Sequence, residues 1–151
     1  MATPYFRDVN SAKCLSVVGD VYRLLATSED TGGAMCLIDA LLAPGGGPPM
    51  HTHEREDETF FVLEGEVTFV VNGSTTVAKA GTTVYAPRRS KHRFTNATKV
   101  PARMILVTTP GGIERMFEEI GVELAPGSTN PAPVDDATIA KVMSVCPRYG
   151  I

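Results

Sequence analysis

Three histidines stand in 151 residues, and their placement constrains the fold more than any other feature: His51 and His53 are two apart, and His92 follows one supersecondary unit later. On a β-strand, side chains at i and i+2 leave the same face, so His51 and His53 can converge on one point. Glu58 lies five positions past His53, an odd separation that an unbroken strand would send to the opposite face. The charged run Glu54, Arg55, Glu56 and Asp57 reads as a turn or bulge that resets the phase. After it, Glu58, Phe60 and Val62 point inward together. With His92 the set becomes three imidazoles and one carboxylate. Such a mixed N/O set suits one divalent first-row transition metal, with Fe, Mn, Ni, Co, Cu and Zn all compatible. Octahedral coordination would leave two positions for substrate, water or dioxygen. An HxH pair is a weak signal alone, but here the whole histidine content of the chain falls into one pattern.

The rest of the chain reads as short strands joined by turns. Trp is absent, and Gly and Pro together number 25 (14 and 11), which favours that architecture. Residues 15–27 and 34–43 read as two strands separated by a turn-rich segment at 28–33. The second, AMCLIDALLA, is apolar on both faces apart from Asp39, which suits a strand covered by another sheet or by a second subunit, hence an expected homodimer. The Gly/Pro run at 43–49 lacks the GK[ST] ending of a phosphate-binding loop and reads as a bend delivering His51. Residues 58–63 form a strand apolar on both sides. Val67, Phe69 and Val71 face one way, and Asn72-Gly73 is the strongest hairpin signal in the chain. Residues 74–78 return, 82–86 run up to Pro87, His92, Phe94 and Asn96 share a face, and 102–109 is a strongly apolar strand. By strand parity the candidate pocket wall is Phe60, Val62, Phe69, Phe94, Met104 and Leu106.

After Pro110 the hydrophobic period changes from 2 to 3.6. Ile113, Met116, Phe117 and Ile120 fall at i, i+3, i+4, i+7, with Gly121 placed to stop the helix. Asp135 or Asp136 caps a second helix whose stripe of Ile139, Val142, Met143 and Cys146 reads as core. The first dozen residues read as a loose arm or an edge contact.

The formal charge of −3 and pI near 5.6 argue against nucleic acid as a partner, because phosphate binding needs a basic surface. The opening residues lack a basic, then apolar, leader pattern, and no apolar run reaches the length of a membrane span. A cytoplasmic location with no membrane contact is therefore expected. Cys14, Cys36 and Cys146 are scattered without CxxC spacing, so reduced thiols are expected.

Gly45, His51, His53, Glu58 and Gly65, separated by five, one, four and six residues, resemble the first motif of the cupins. Gly81, Pro87, Arg89, His92 and Asn96, separated by five, one, two and three, resemble the second, with Arg89 where that motif has glycine. The resemblance implies an all-β fold: a double-stranded β-helix, or jelly-roll barrel, with the metal inside and two short C-terminal helices. The length of 151 residues and the single set of motifs lead us to expect one domain over 1–151, with the barrel at about 15–110 and, from the change of period, a helical extension at about 111–151. TGG at 31–33, HxHxREDETF at 51–60, TPGGIERMFEE at 109–119 and RYGI at 148–151 are similar to the small quercetin dioxygenase-like cupins.

That similarity implies a metal-dependent dioxygenase acting on a flavonol or similar enolisable aromatic molecule. Glu58 would be metal ligand and also the base that accepts the acidic proton, and dioxygen would open the activated ring. Arg55, Arg88, Arg89 and Arg93 flank the motifs and are candidates for attracting an anionic or polyphenolic substrate. Two other classes stand beside this one: a non-oxidative metal-dependent enzyme such as a polyketide cyclase or isomerase, and a small-molecule binding or sensing module without turnover. Fold alone does not choose among them.

Overall fold

The computed structural model describes residues 3–151. In chain order the elements are strands β1 (Lys13–Val17) and β2 (Asp20–Ala26), a one-turn helix α1 (Ser28–Thr31), and strands β3 (Cys36–Leu42), β4 (Asp57–Glu64) and β5 (Glu66–Val71). Strands β6 (Ser74–Lys79), β7 (Thr83–Ala86), β8 (His92–Thr95) and β9 (Ala102–Thr109) follow. Helix α2 (Glu114–Ile120), strand β10 (Val122–Leu124), helix α3 (Asp136–Val145) and a 3-10 turn (Cys146–Tyr149) complete the chain. One sheet has the order β10-β1-β2-β3-β9-β4-β7, and the other β6-β5-β8. This is the double-stranded β-helix expected from the sequence, with two short helices near the C-terminal end.

Alternation decides what goes inside. Ile38, Ala40 and Leu42 on β3, Met104 and Leu106 on β9, and Phe60 and Val62 on β4 are all buried on the inner face. The pairings Phe60↔Leu106 and Val62↔Met104 keep these rows in register. Phe60, Phe69 and Phe94 meet with ring centroids 5.1 to 6.0 Å apart and fill one end of the barrel. Burying each such ring contributes roughly 1.5–3 kcal/mol. The hairpin at Asn72-Gly73 forms as expected, with φ of 48° and 85°, the left-handed pair that a two-residue loop between twisted strands requires.

Four expectations need correction. Residues 15–27 are not one strand but the hairpin β1–β2, which turns at Val18 and Gly19 with φ of 47° and 86°. The turn-rich 28–33 contains α1, where Thr27 and Asp30 form a reciprocal cap. Strand β4 is covered on one face only, since Phe61 on its outer side is 40% exposed. The stripe on α3 is not core: Ile139 and Met143 are 45% and 70% exposed, and the helix buries Val145 instead.

Elsewhere α2 buries Met116, Phe117 and Ile120, with the Phe117 ring edge-on to Tyr22 at 5.1 Å. The Asp135 carboxylate accepts the Thr138 amide to start α3. The N-terminal arm is tied down by Tyr5 and Arg7, which both donate to the Leu25 carbonyl, and by an Arg7–Asp30 ion pair. Residues 1 and 2 of that arm lie outside the described residues. Cys14, Cys36 and Cys146 are free thiols. Among the described residues no helix is long and apolar enough to cross a membrane.

Candidate metal centre

The loop before β4 and the start of β8 are joined by one reciprocal backbone pair. The His51 amide donates to the His92 carbonyl and the His92 amide to the His51 carbonyl, both at 2.9 Å. Residues directly opposite in an antiparallel pair send their side chains to the same face, so this pair sets His51 beside His92. His53 leaves the same face by the period of two. Glu58 reaches it from β4, once the 54–56 loop has reset the phase. The Arg89 amide donates to the His53 carbonyl at 2.7 Å, tying the turn before β8 to the HxH segment. Arg89 has φ of 67°, the left-handed backbone for which glycine is the usual residue.

The hydrogen bonds behind the rings orient the imidazoles. His51 Nδ1 lies 2.9 Å from the Pro49 carbonyl and His92 Nδ1 2.9 Å from the Ser90 carbonyl. A carbonyl only accepts, so each Nδ1 carries a proton and each Nε2 turns inward. There His51 Nε2 is 3.1 Å from His53 Nε2, and Glu58 Oε2 is 3.3 Å from His53 Nε2 and 2.7 Å from His92 Nε2. The four ligand atoms lie within 4.8 Å of one another. His53 Nδ1 sits 3.5 Å from Glu56 Oε2, and both atoms are buried without a hydrogen-bond partner. Glu56 is thus placed to orient His53 from behind. The sequence reading left it in a turn, because a third charge in a run of four gives no sign that it folds back.

The charge state of the cluster follows from this geometry. Burial pushes the Glu58 carboxyl up, but the hydrogen bond from His92 and the neighbouring imidazoles outweigh it, so its pKa is lowered overall. Burial opposes a charge on His92, yet the Glu58 carboxylate holds its pKa above the usual value. Burial pushes His51 down to about 4. Three Nε2 atoms and one carboxylate oxygen therefore crowd a buried point, with protons alone to separate them. A divalent cation meets that demand better than protons do, so the cluster could bind a metal, and metal uptake would displace protons.

A cavity of about 380 Å³ opens onto the cluster, with His51, His53 and Glu58 at its polar end. Its walls come from β1 and β2, from α2 and from α3, whose exposed Ile139 and Met143 stand in the lining. The stripe read as core is therefore the outer wall of this cavity. Of the six pocket candidates, Phe94 and Leu106 line it. Phe60, Val62, Phe69 and Met104 do not; they are buried in the core of the barrel behind it. Strand parity told inside from outside, but not one end of the barrel from the other. None of the four flanking arginines lines the cavity: Arg88 pairs with Asp57, Arg89 with Glu54, Arg55 donates to the Arg148 carbonyl, and Arg93 is exposed. The positions missed were Asp20 and Tyr22 on β2, two apart on one face and both lining the cavity.

Residues 39–108, which carry all four side chains of the cluster, match the cupin domain family. This stretch of the chain is a cupin domain. A crystal structure of an RmlC-like cupin from Shewanella frigidimarina superposes with a TM-score of 0.65 at 18% identity, covering 75% of this cupin and 96% of that chain. KdgF from Halomonas sp. superposes with a TM-score of 0.67 at 18% identity, covering 75% and 99%. In sequence, the cupin is 25% identical over 120 residues to quercetin 2,3-dioxygenase of Bacillus subtilis (strain 168), across 80% of this chain. It spans only 35% of the length of that relative.

Proposed function

We propose that this cupin is a metal-dependent enzyme, with His51, His53, Glu58 and His92 as the ligands, and that it acts as a dioxygenase on a flavonol-like or similar enolisable aromatic molecule. The observation that carries the reading is the meeting of two environments: an apolar cavity opening directly onto a buried cluster of nitrogen and carboxylate donors. The similarity to quercetin 2,3-dioxygenase supports the same direction.

When bound, the metal would supply Lewis acidity that stabilises an enolate. The chain supplies the rest. Glu58 lines the cavity, and its Oε2 carries the contacts to His53 and His92. Its Oε1 has no hydrogen-bond partner among the described residues, which leaves that atom to accept the proton of a substrate hydroxyl. Proton acceptance there makes the substrate electron-rich and open to dioxygen. The apolar walls keep water away while this happens. A second copy of the chain is expected on the outer face of the large sheet, where Leu37, Leu41, Ile105 and Val107 remain only partly buried.

The test is oxygen consumption with flavonols, diketones and catechols, after loading with iron, manganese, nickel, cobalt, copper or zinc in turn. Uptake that needs both metal and substrate supports the proposal. Product formation without oxygen uptake would move the assignment to a cyclase or isomerase, since proton transfer at Glu58 serves either chemistry. No reaction with any combination would leave it a binding module.

A further inference from the structure

The lining of the cavity includes five polar side chains: His51, His53 and Glu58 of the cluster, and Asp20 and Tyr22 of β2. No lysine or arginine lines it among the described residues. Both Asp20 oxygens already accept backbone amides, Oδ1 from Ala43 at 3.0 Å and Oδ2 from Gly47 at 2.9 Å. Tyr22 is different. It is only 5% exposed, its ring is braced edge-on by Phe117, and its hydroxyl has no hydrogen-bond partner among the described residues. The residue is buried, yet the hydroxyl oxygen is not sealed from solvent, and Tyr22 stands on the wall of a cavity, so the hydroxyl is free to bond a molecule that enters. Burial, and after it the field of the Asp20 and Glu58 carboxylates, keeps the hydroxyl un-ionised. It is therefore a neutral O–H, rigidly held, with a proton to donate.

We infer that Tyr22 is a substrate-binding residue, whose hydroxyl donates a hydrogen bond to an oxygen of an uncharged, ring-bearing molecule that presents its other oxygens to the His/Glu cluster. The inference rests on the reading that the cluster is a metal site facing a substrate. The lining sets the class. Away from the metal the wall carries no cation, which disfavours small acids and sugar acids with a carboxylate at that end, where it would be desolvated near Asp20 with no counter-charge. A neutral polyphenol or aromatic hydroxy-ketone buries its rings on the apolar walls and offers Tyr22 an acceptor.

The experiment uses the full chain loaded with zinc, which supports binding without redox turnover, and calorimetric titration with quercetin, 3-hydroxyflavone and oxalate. Wild type is expected to bind at least one of the two flavonols and to bind oxalate more weakly. Tyr22→Phe keeps the ring against Phe117 and is expected to weaken flavonol binding about tenfold, with zinc content and melting temperature unchanged. Affinity within twofold of wild type, tighter binding of oxalate than of flavonols, or failure of both flavonols to bind would each overturn the inference. Repeating the titration after chelation separates it from the metal reading. A Tyr22-dependent difference that persists in protein unable to take up zinc would uphold Tyr22 and sink the metal site, whereas zinc-loaded Tyr22→Phe that binds like wild type would sink Tyr22 alone.

Discussion

Two of the buried carboxylates, Asp39 and Glu58, lie on opposite faces of one sheet, and their neighbours differ in a way that separates structure from chemistry. Asp39, 1% exposed on the outer face, is gripped by Arg103, whose Nη2 lies 2.5 Å and Nε 3.1 Å away, with Arg23 Nη1 at 3.7 Å. Glu58, 3% exposed on the inner face, is held by His53 and His92. A guanidinium cannot shed its proton, so the outer cluster brings its own compensating charge and is complete as it stands. An imidazole can shed its proton, so the inner cluster becomes a set of lone pairs when it does. The first arrangement only holds strands together, whereas the second has room for a cation.

The sharpest way to break this comparison is metal content. His51→Ala and His92→Ala are each expected to lose stoichiometric metal, whereas Asp39→Ala should keep it in the folded protein, measured by elemental analysis after purification. Full metal in either histidine variant would end the distinction. Next comes stability without metal. Asp39→Ala leaves the buried Arg23 uncompensated and Arg103 with only Glu64 at 3.3 Å, and the Arg23 Nε is already buried without a partner, so a loss of about 3–5 kcal/mol is expected. Glu58→Gln is expected to cost about 1–3 kcal/mol, because His92 can release its proton once the carboxylate is gone. Urea melts of the two variants with equal losses would show that the partners' ability to neutralise does not matter.

A third buried carboxylate calibrates the other two. Asp20 has neither guanidinium nor imidazole, only two backbone amides, and burial pushes it from 3.8 up to about 6. Between those values the folded state holds a proton that the unfolded chain releases. Its contribution to stability is therefore full below about pH 4 and is lost as pH rises through about 6. The span of roughly two units corresponds to about 3 kcal/mol. The difference in unfolding free energy between wild type and Asp20→Asn, measured from pH 4 to 7, is expected to shift by up to that amount in favour of the variant. A pH-independent difference would mean that the two amides fully offset the burial.

These clusters were unequally legible in the sequence. His51, His53, Glu58 and His92 could be read because short spacings on strands fix direction, and Glu58 only because four charged residues signalled a break in phase. Asp39 stood out merely as the one polar residue in an apolar run; its partners Arg23 and Arg103 come from different strands, and a pairing across strands depends on register that local pattern does not contain. The β1–β2 hairpin was hidden because Val18, a β-branched residue, occupies a left-handed turn position where Asn or Gly is usual. The stripe on α3 followed the helical period correctly, yet periodicity cannot tell a core from a cavity wall. Tyr22 was missed for the same reason: it alternates inward like any core residue, and only the open space in front of its hydroxyl distinguishes it.

Arg89 gives the smallest expected effect and tests the comparison at the surface. Its partner, Glu54, lies 3.4 Å away, with side-chain exposures of 75% and 58%, so this arginine–carboxylate pair is solvated and worth under about 1 kcal/mol. Its backbone is held at φ of 67°, a conformation costing a non-glycine residue on the order of 1 kcal/mol or more. Arg89→Gly removes that strain and loses the pair, while the freer unfolded chain takes back roughly 0.5–1 kcal/mol. The net change should lie within about 1 kcal/mol of zero, with metal stoichiometry intact, because the contact that matters to the centre is the Arg89 amide on the His53 carbonyl and glycine keeps it. A thermal melt with metal analysis on the same sample decides the point: a large destabilisation would mean that an exposed guanidinium supports this barrel as firmly as the buried ones, and the contrast between the two faces would lose its basis.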